Sequence, residues 1–344
     1  MARHGYRELL ASGASFWSDV RHGRRPVLPV PGTVFITELA LSLRPQYFAF
    51  SSFAALAGAA AVPGAQVSWP RVLLAATVAG LGWGVGQLLN DLLDVDSDAV
   101  NAPGRAIVAG RLPAGPALSA AIALGVIVAV ATALVHPRAW LLAGVAVALL
   151  LVYNAAKRFP AGGNVAHGAV MAVAAAIGVL AVQDRHASDS ELRAAMAQAA
   201  PSLAVVAATA AWYLQSNYEK DRLGDQQAGY VTSATIISVR ASALFRAAFI
   251  VFIGVTSARL ARLPDLASQA GMSAGVALGL WSTLPSLLEN SDQAALRGYR
   301  RAVNAALLCL LALAEPLLGV LGSLLGCACA FAAVHWAFSR ESNP

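Results

Sequence analysis

Charged residues are scarce in this chain of 344 residues: Asp, Glu, Lys and Arg together make up 12% of it, whereas 58% of its residues are hydrophobic. A soluble domain has about 25% charged residues, so the composition excludes an ordinary soluble protein and predicts one embedded in a lipid bilayer. The net charge of +6 does not indicate a nucleic-acid partner, because an excess of Lys and Arg in cytoplasmic loops is typical of membrane proteins.

Cysteine is also scarce, and Cys309, Cys327 and Cys329 all lie in the apolar C-terminal stretch. This distribution excludes a disulfide framework or a zinc-binding spacing, and free thiols in such a stretch act as small hydrophobes. The Arg-rich N-terminus lacks the apolar segment of a signal peptide, because residues 27–36 contain two prolines and a glycine. We therefore expect residues 1–40 to form a basic cytoplasmic tail and residues 41–340 a single transmembrane domain.

Long apolar runs recur after the first forty residues, and a membrane-spanning helix needs about 20 such residues. We predict spans at 46–64, 70–91, 115–135, 139–155, 164–183, 198–216, 236–257, 268–288 and 303–338. The last run is too long for one crossing, and Glu315-Pro316 should break it into a span and a second, partial or complete one. The expected fold is an all-α bundle of about nine transmembrane helices, with ten as the alternative.

The orientation follows from the Lys and Arg residues of the short loops. The loops after the even-numbered spans are the basic ones, which predicts that they and the N-terminus face the cytoplasm. The residues are Arg105, Arg111, Lys157, Arg158, Lys220, Arg222, Arg297, Arg300 and Arg301.

Two stretches on that face carry the same spaced trio, Asn90-x3-Asp94-x3-Asp98 and Asn217-x3-Asp221-x3-Asp225. A four-residue step on a helix keeps each trio on one face. The trios lie four spans apart, which predicts two related four-helix halves that bring both clusters to one central cavity.

The first cluster contains two further carboxylates. A step of about 100° per residue puts Asp91, Asp94 and Asp98 close together on the helix, whereas Asp96 points elsewhere as a solvated or outer residue. Five inward carboxylates would repel one another unless cations neutralise them. Mg²⁺ suits such a site, since it binds one or two carboxylates and keeps water and phosphate oxygens in its shell.

Two other interpretations of the acidic residues are weaker. A solvated loop explains a lone Asp at a helix end, but it does not explain two trios in matching positions. A cation transporter would also place carboxylates within the membrane. These carboxylates, however, lie at helix ends beside basic loops, where a cation path is disfavoured.

The Asn90-Asp91-x2-Asp94-x3-Asp98 run resembles the first aspartate-rich motif of the UbiA superfamily of intramembrane prenyltransferases, and Asp221-x3-Asp225 resembles the second. The residues after each motif, 101–111 and 224–232, resemble the family's runs N-x-P-x-R-P-I-x-x-G-R and G-D-x-x-A-G-x-x-T. Tyr153-x3-Lys157-Arg158 and Leu43-Arg44-Pro45 resemble two further family elements.

This resemblance implies that residues 41–340 form a UbiA-like catalytic domain whose substrate is an isoprenyl diphosphate. Mg²⁺ would be held by five catalytic aspartates with the help of two asparagines, namely Asp91, Asp94, Asp98, Asp221 and Asp225 with Asn90 and Asn217. Basic and hydroxyl groups would bind the diphosphate, namely Arg105, Arg111, Tyr153, Lys157 and Lys220, with Lys157 also counted as catalytic. Metal charge would stabilise the departing diphosphate, and an apolar cavity would keep the allylic cation from water.

The chain departs from the family pattern at two positions. Ala106 replaces the proline of the R-P-I element, which affects the shape of a loop. Val95 stands where members that prenylate hydroxybenzoate carry an Arg for the acceptor carboxylate. We therefore expect transfer to a neutral or lipid-like acceptor, with a UbiA-type terpene cyclase acting on farnesyl or geranylgeranyl diphosphate as the alternative.

Several other residues near the clusters have two interpretations each. Trp83, Trp212, Tyr213 and Tyr218 could stabilise a carbocation or anchor span ends at the membrane interface. Gly82-x3-Gly86 could pack helices tightly or leave room for a substrate tail. Asn164 and His167 could line the chamber or satisfy backbone groups.

Overall fold

The computed structural model describes residues 31–95, 98–99, 102–157, 159–227, 229–261 and 263–341. Asp96, Asn101, Arg158 and the first thirty residues of the expected tail lie outside the described residues, and so do the predictions made for them. The side chains of residues 260, 261 and 337–341 are likewise not described.

The described residues form helices and connecting turns, with no strand among them. In chain order the helices are α1 Gly32–Ser42, α2 Phe48–Ala60, α3 Trp69–Leu93, α4 Ala114–Val135, α5 Ala139–Ala156, α6 Gly162–Ala181, α7 Asp189–Lys220, α8 Arg222–Gln227, α9 Ser233–Ile236, α10 Val239–Thr256, α11 Leu266–Glu289 and α12 Asp292–Glu341. Helix α1 crosses the expected boundary between tail and domain at residue 40.

Eight helices in the described part of the chain are long and apolar enough to cross a membrane. Helix α2 has 13 residues and is too short to be counted among them, although its position matches the first predicted span. The chain is therefore an integral, multi-pass membrane protein with an all-α fold, as the composition predicted.

The helices form two related halves. In the first half, α2, α3, α4 and α5 pack in sequence, each against the next. The second half repeats this order with α6, α7, α10 and α11, and α12 packs against α11. Helix α2 joins the halves because it packs against both α6 and α12. The two aspartate trios therefore lie at the ends of α3 and α7, which occupy the same place in their respective halves.

Glycine allows α2 and α6 to approach each other closely at the centre of the bundle. A Cβ atom at Gly58 would overlap the backbone of Ala175, and one at Gly178 would overlap the backbone of Ala55. The contact is reciprocal, so each helix presents a glycine to the other helix's backbone. Small residues of this kind let membrane helices associate through close packing.

Two predicted boundaries are wrong. The break in the last apolar run falls at Gly319, where φ is 67°, and the helix continues through Glu315-Pro316. A glycine adopts this left-handed backbone at little cost, which explains why the interruption moves there. Arg297, Arg300 and Arg301 lie in the first turns of α12, not in a loop.

Polar contacts hold together the end of the bundle that is remote from the trios. His136, between α4 and α5, contacts the carbonyl oxygen of Asp184 through Nε2 at 3.0 Å. Arg71 of α3 donates to the carbonyl oxygen of Gln183 at 2.6 Å, and Arg138 donates to that of Ala187 at 2.7 Å. Side chains from α3 and from the α4–α5 connection thus bind the segment between α6 and α7.

Candidate active site

A cavity of about 1000 Å³ opens where α3 and α7 end. Every residue that the sequence nominated for metal or diphosphate binding lines it: Asn90, Asp91, Asp94, Asp98, Arg105, Arg111, Tyr153, Lys157, Asn217, Lys220, Asp221 and Asp225. Residues more than 120 positions apart therefore meet at a single opening.

The backbone at the first trio continues helical hydrogen bonding past the end of α3. Asp94 is the C-cap of this helix, and its amide donates to the carbonyl oxygen of Asn90 at 2.9 Å. The amide of Asp98 donates in turn to Asp94 at 2.8 Å. This i to i+4 pattern keeps the trio on one face, as the spacing predicted.

The second trio has the same backbone geometry. Asp221 is the C-cap of α7, and its amide donates to the carbonyl oxygen of Asn217 at 3.0 Å. The amide of Asp225, in the short helix α8, donates to Asp221 at 2.9 Å. Asp225 is buried, whereas the side chain of Asp221 is 40% exposed.

Arginine side chains neutralise two carboxylates of the first cluster. Arg44 donates to Asp91 at 2.6 Å and to the side-chain oxygen of Gln87 at 2.8 Å. Arg105 lies 3.3 Å from Asp91 and forms a close ion pair with Asp98. Burial raises the pKa of the Asp98 carboxyl to about 6, and Arg105 opposes this shift.

A lysine side chain neutralises Asp94, the third carboxylate of the first cluster. Lys157, the C-cap of α5, is buried and forms a close ion pair with Asp94. Its Nζ also donates to Asn90 at 3.0 Å and to Asn154 at 3.2 Å. The protein's own cations therefore supply part of the charge compensation that the sequence predicted from metal ions.

Among the described residues, no three His, Cys, Asp or Glu side chains are close enough to form a ready-made metal cage. The carboxylates instead line one cavity from two helices, α3 and α7, and the segments that follow them. Such an arrangement suits a hard cation that keeps water and ligand oxygens in its shell, as Mg²⁺ does.

Two of the predicted diphosphate-binding residues lie at the outer rim of the cavity. Arg111 binds Glu38 at 2.7 Å and the carbonyl oxygen of Gly104 at 2.8 Å. Lys220 lies 3.6 Å from Asp221, and its Nζ is 5.2 Å from the ring centre of Tyr299. Both side chains are more exposed than Lys157.

Aromatic side chains form part of the cavity wall just inside the acidic rim. Trp83, Tyr213 and Tyr218 line it, and Phe50 stacks on Tyr213 with the ring centres 4.5 Å apart. Their positions agree with a role inside the chamber rather than with membrane anchoring. Trp212 does not line the cavity and is buried in the core.

Position bears on the remaining open interpretations. Gly82 and Gly86 both line the cavity, and a Cβ atom at Gly86 would lie 3.1 Å from the Leu150 side chain, so Gly86 also allows close packing of α3 against α5. His167 also lines the cavity, with its ring centre 5.3 Å from that of Trp83. Asn164 does not line it, and donates to the carbonyl oxygen of Ala211 at 2.9 Å.

Several residues of the site were not nominated from the sequence. Arg44 was noted only as part of a family element, although it pairs with Asp91. Tyr299, on α12, donates to the Asn217 side-chain oxygen at 2.6 Å and lines the cavity. The Leu43-Arg44-Pro45 element was a usable signal for the arginine, whereas the sequence around Tyr299 offered none.

Val95 does not line the cavity. It is buried in a small apolar cluster with Leu88, Leu92, Ala106 and Ile107. The side chain at this position therefore packs beneath the 102–112 segment, and its identity alone does not describe the acceptor pocket.

Comparison with known proteins identifies the family. The model of the UbiA prenyltransferase family matches residues 51–297. That range covers more than half of the chain and contains both aspartate trios, so the chain belongs to the UbiA prenyltransferase family.

Solved structures of similar fold agree with this assignment. A UbiA homolog from Aeropyrum pernix K1 shares 18% identity at a TM-score of 0.66, over 79% of this chain and 97% of that one. A digeranylgeranylglyceryl phosphate synthase shares 15% identity at a TM-score of 0.60, over 84% and 99%. A UbiA homolog from Archaeoglobus fulgidus bound to DMAPP and Mg²⁺ shares 14% identity at a TM-score of 0.54, over 86% and 99%. A search of curated proteins found no match.

Proposed function

We propose that this protein is a Mg²⁺-dependent intramembrane prenyltransferase that ionises an isoprenyl diphosphate and transfers the prenyl group to a neutral or lipid-like acceptor. One observation carries the proposal: two Asn-x3-Asp-x3-Asp trios, at equivalent helix ends of two related halves, line the mouth of one cavity. The family's prenyltransferase activity and the DMAPP, GPP and Mg²⁺ bound by the Archaeoglobus fulgidus homolog support it.

The donor set at the mouth fits Mg²⁺. Carboxylates and amide oxygens are the hard ligands that this ion prefers, and Asp91, Asp94, Asp98 and Asp225 are all buried there. When bound, Mg²⁺ would supply the Lewis acidity that stabilises a departing diphosphate. The residues that would hold it are the five aspartates, assisted by Asn90 and Asn217.

Arg44, Arg105 and Lys157 would share in binding the diphosphate. Each already contacts a carboxylate that lines the cavity. An arginine offers a fixed fork of donors to phosphate oxygens, whereas a lysine offers a compact point charge. These side chains would lower the cost of bringing a multiply charged head group beside acidic residues.

The walls below the mouth would protect the allylic cation. They are mostly apolar, with Ser51, Thr132 and His167 as polar exceptions, so they would limit the access of water that would quench it. Trp83 and Tyr213 present aromatic rings in the upper part of the cavity, where a cation is stabilised by the ring faces.

The cavity favours an uncharged acceptor. The described residues of α3 to α6 that line the cavity deeper than Asn90 and Lys157 include no Asp, Glu, Lys or Arg. A carboxylate brought there without a partner would face a large desolvation cost. Val95 packs away from the cavity, so its side chain does not contact an acceptor there. A cyclase would use the same chamber without an acceptor, so the reaction products distinguish the two activities.

The closed far end of the cavity argues against a cation transporter. The cavity lining does not include the segment between α6 and α7, and hydrogen bonds from Arg71, His136 and Arg138 hold that segment in place. A transport path would need an opening at this end.

The test is an incubation of purified protein with prenyl diphosphates of different length, with and without neutral and lipid-like acceptors, in Mg²⁺ and in EDTA. We expect a prenylated acceptor only when Mg²⁺ is present, and no prenylation of 4-hydroxybenzoate. A cyclic hydrocarbon formed at about 1 s⁻¹ without any acceptor would establish the cyclase instead. Absence of turnover under all of these conditions would contradict both.

A further inference from the structure

The deep part of the cavity lies among four consecutive helices, α3 to α6. Its deepest lining residues are Val78 of α3, Thr132 of α4, Ala143 of α5 and Ile177 of α6. Helices α7 and α12 contribute only residues near the mouth, from Tyr213 onward along α7 and Tyr299 on α12. Below the aromatic residues, the cavity is therefore a pocket surrounded by the four helices α3 to α6.

Two of these helices give the same depth independently. Val78 and Asp91, both on α3, are thirteen residues apart, which is about 20 Å at 1.5 Å per residue. Ala143 and Lys157, on α5 and at its C-cap, are fourteen residues apart, or about 21 Å. The level of the acidic mouth and the level of the deepest residues are thus separated by about 20 Å.

The pocket is closed beneath its deepest residues. Val72, Val135, Ala139 and Ala181 follow on the four helices toward the far end, and each is at most 1% exposed. The hydrogen bonds of Arg71, His136 and Arg138 then fasten the connecting segments over this end. The pocket therefore ends against packed protein. We call its four deepest lining residues the floor, namely Val78, Thr132, Ala143 and Ile177.

We propose that the floor limits the prenyl chain of the substrate to four isoprene units, an inference that rests on the proposed function. Three backbone bonds of an extended peptide span about 3.5 Å. The four chain bonds of one isoprene unit therefore span about 4.7 Å, by the same proportion. Four units, as in a geranylgeranyl chain, fill the 20 Å between the diphosphate at Asp91 and the floor, and a fifth unit does not fit.

Steric exclusion sets this limit, not hydrophobic transfer. The prenyl chain comes from lipid, which is as apolar as the pocket, so each added unit gains little from burial alone. Packing contacts favour a chain that fills the pocket, whereas an extra unit forces the surrounding side chains to shift. The expected profile therefore rises with chain length up to four units and then falls.

The test measures binding of prenyl thiolodiphosphates, which resist ionisation, with two to six isoprene units in the presence of Mg²⁺. We expect the tightest binding at four units and binding weaker by about tenfold or more at five. Equal binding of the five- and six-unit compounds would overturn the inference, because the chain would then leave the pocket sideways. No binding of any compound would overturn the proposed function as well.

Substitutions at the floor should move the limit in both directions. Ala143→Phe fills the pocket bottom, so tightest binding should shift from four units to three. Ala148→Phe is the matched control, since Ala148 lies on the same helix but is exposed and does not line the cavity. Ile177→Ala should admit the five-unit compound. An unchanged length profile in a folded Ala143→Phe protein, or in Ile177→Ala, would contradict the role of the floor.

Discussion

At the scale of single residues, the acidic mouth is balanced by cations drawn from other parts of the chain. Arg44 precedes the first span, Arg105 follows the second, and Lys157 ends α5, yet all three contact the first aspartate cluster. Burial favours the protonated form of such carboxylates, whereas the paired cations favour the ionised form that binds a metal ion. At Asp98 the effect of burial prevails, since the pKa of its carboxyl is raised to about 6 despite the contact with Arg105.

Removing one carboxylate of either trio should impair activity much more than removing Asp96. Asp94→Asn or Asp225→Asn should each lower kcat/KM by about 10²-fold or more, the usual effect of losing one preorganised electrostatic contact. Asp96→Asn is the control, since the helical step turns this residue away from the trio. Steady-state assays of the three variants check this, and equal losses at Asp96 and Asp94 would contradict the shared face.

Replacing the lysine should weaken binding of the diphosphate. Lys157→Met keeps an unbranched side chain and removes the charge, so KM for the prenyl diphosphate should rise about tenfold or more, the loss expected for a hydrogen bond to a charged group. Arg193→Met is the control because Arg193 is exposed on α7 and does not line the cavity. An unchanged KM and kcat in folded Lys157→Met would remove this residue from the site.

At the scale of helices, a buried polar network stabilises the end of α7 that carries the second trio. Glu219 binds Arg246 of α10 at 2.8 Å and accepts from Ser242 at 2.6 Å. Gln215 donates to Ser242 at 2.6 Å and accepts from Ser233 of α9 at 2.5 Å. All five side chains are buried, so the network ties α7 to α9 and α10 immediately beside Asp221 and Asp225.

Breaking this network from one side should destabilise the protein. Arg246→Met leaves Glu219 buried without its cation, which costs about 3–5 kcal/mol for a buried pair. The double variant Glu219→Gln with Arg246→Met removes both charges and should recover much of the loss. Thermal denaturation in detergent measures both variants. A double variant no more stable than Arg246→Met would show that the ion pair is not the source of the effect.

At the scale of the whole molecule, the two halves bring two distant motifs to one opening. The trios occupy equivalent ends of α3 and α7, and both line the same cavity. The excess of Lys and Arg near these ends predicts that the opening faces the cytoplasm.

Site-directed labelling tests that orientation. In a background lacking Cys309, Cys327 and Cys329, single cysteines replacing Gly104 and Gly224 should react with a membrane-impermeant reagent only from the cytoplasmic side. A cysteine replacing Ser188 should react only from the other side. Labelling of the Gly104→Cys and Gly224→Cys variants from opposite sides would contradict a cavity with a single cytoplasmic mouth.

The local features of this protein could be predicted from the sequence because they repeat within one helix. Apolar runs of membrane length located the spans, and the four-residue spacing placed each aspartate trio on one face. The matching spacing of the two trios also indicated related halves. Val95 shows the limit of such reasoning, since its neighbourhood in the sequence did not reveal that it packs away from the cavity.

The contacts between helices could not be predicted in this way. Nothing in the sequence pairs Tyr299 with Asn217, because their 82-residue separation is closed only when α12 packs beside α7. The floor of the pocket likewise depends on four helices that meet at one depth. Hydrophobic periodicity specifies which face of a helix is apolar. Close packing between particular residues, such as Gly58 against Ala175, decides which faces meet and hence how deep the cavity is.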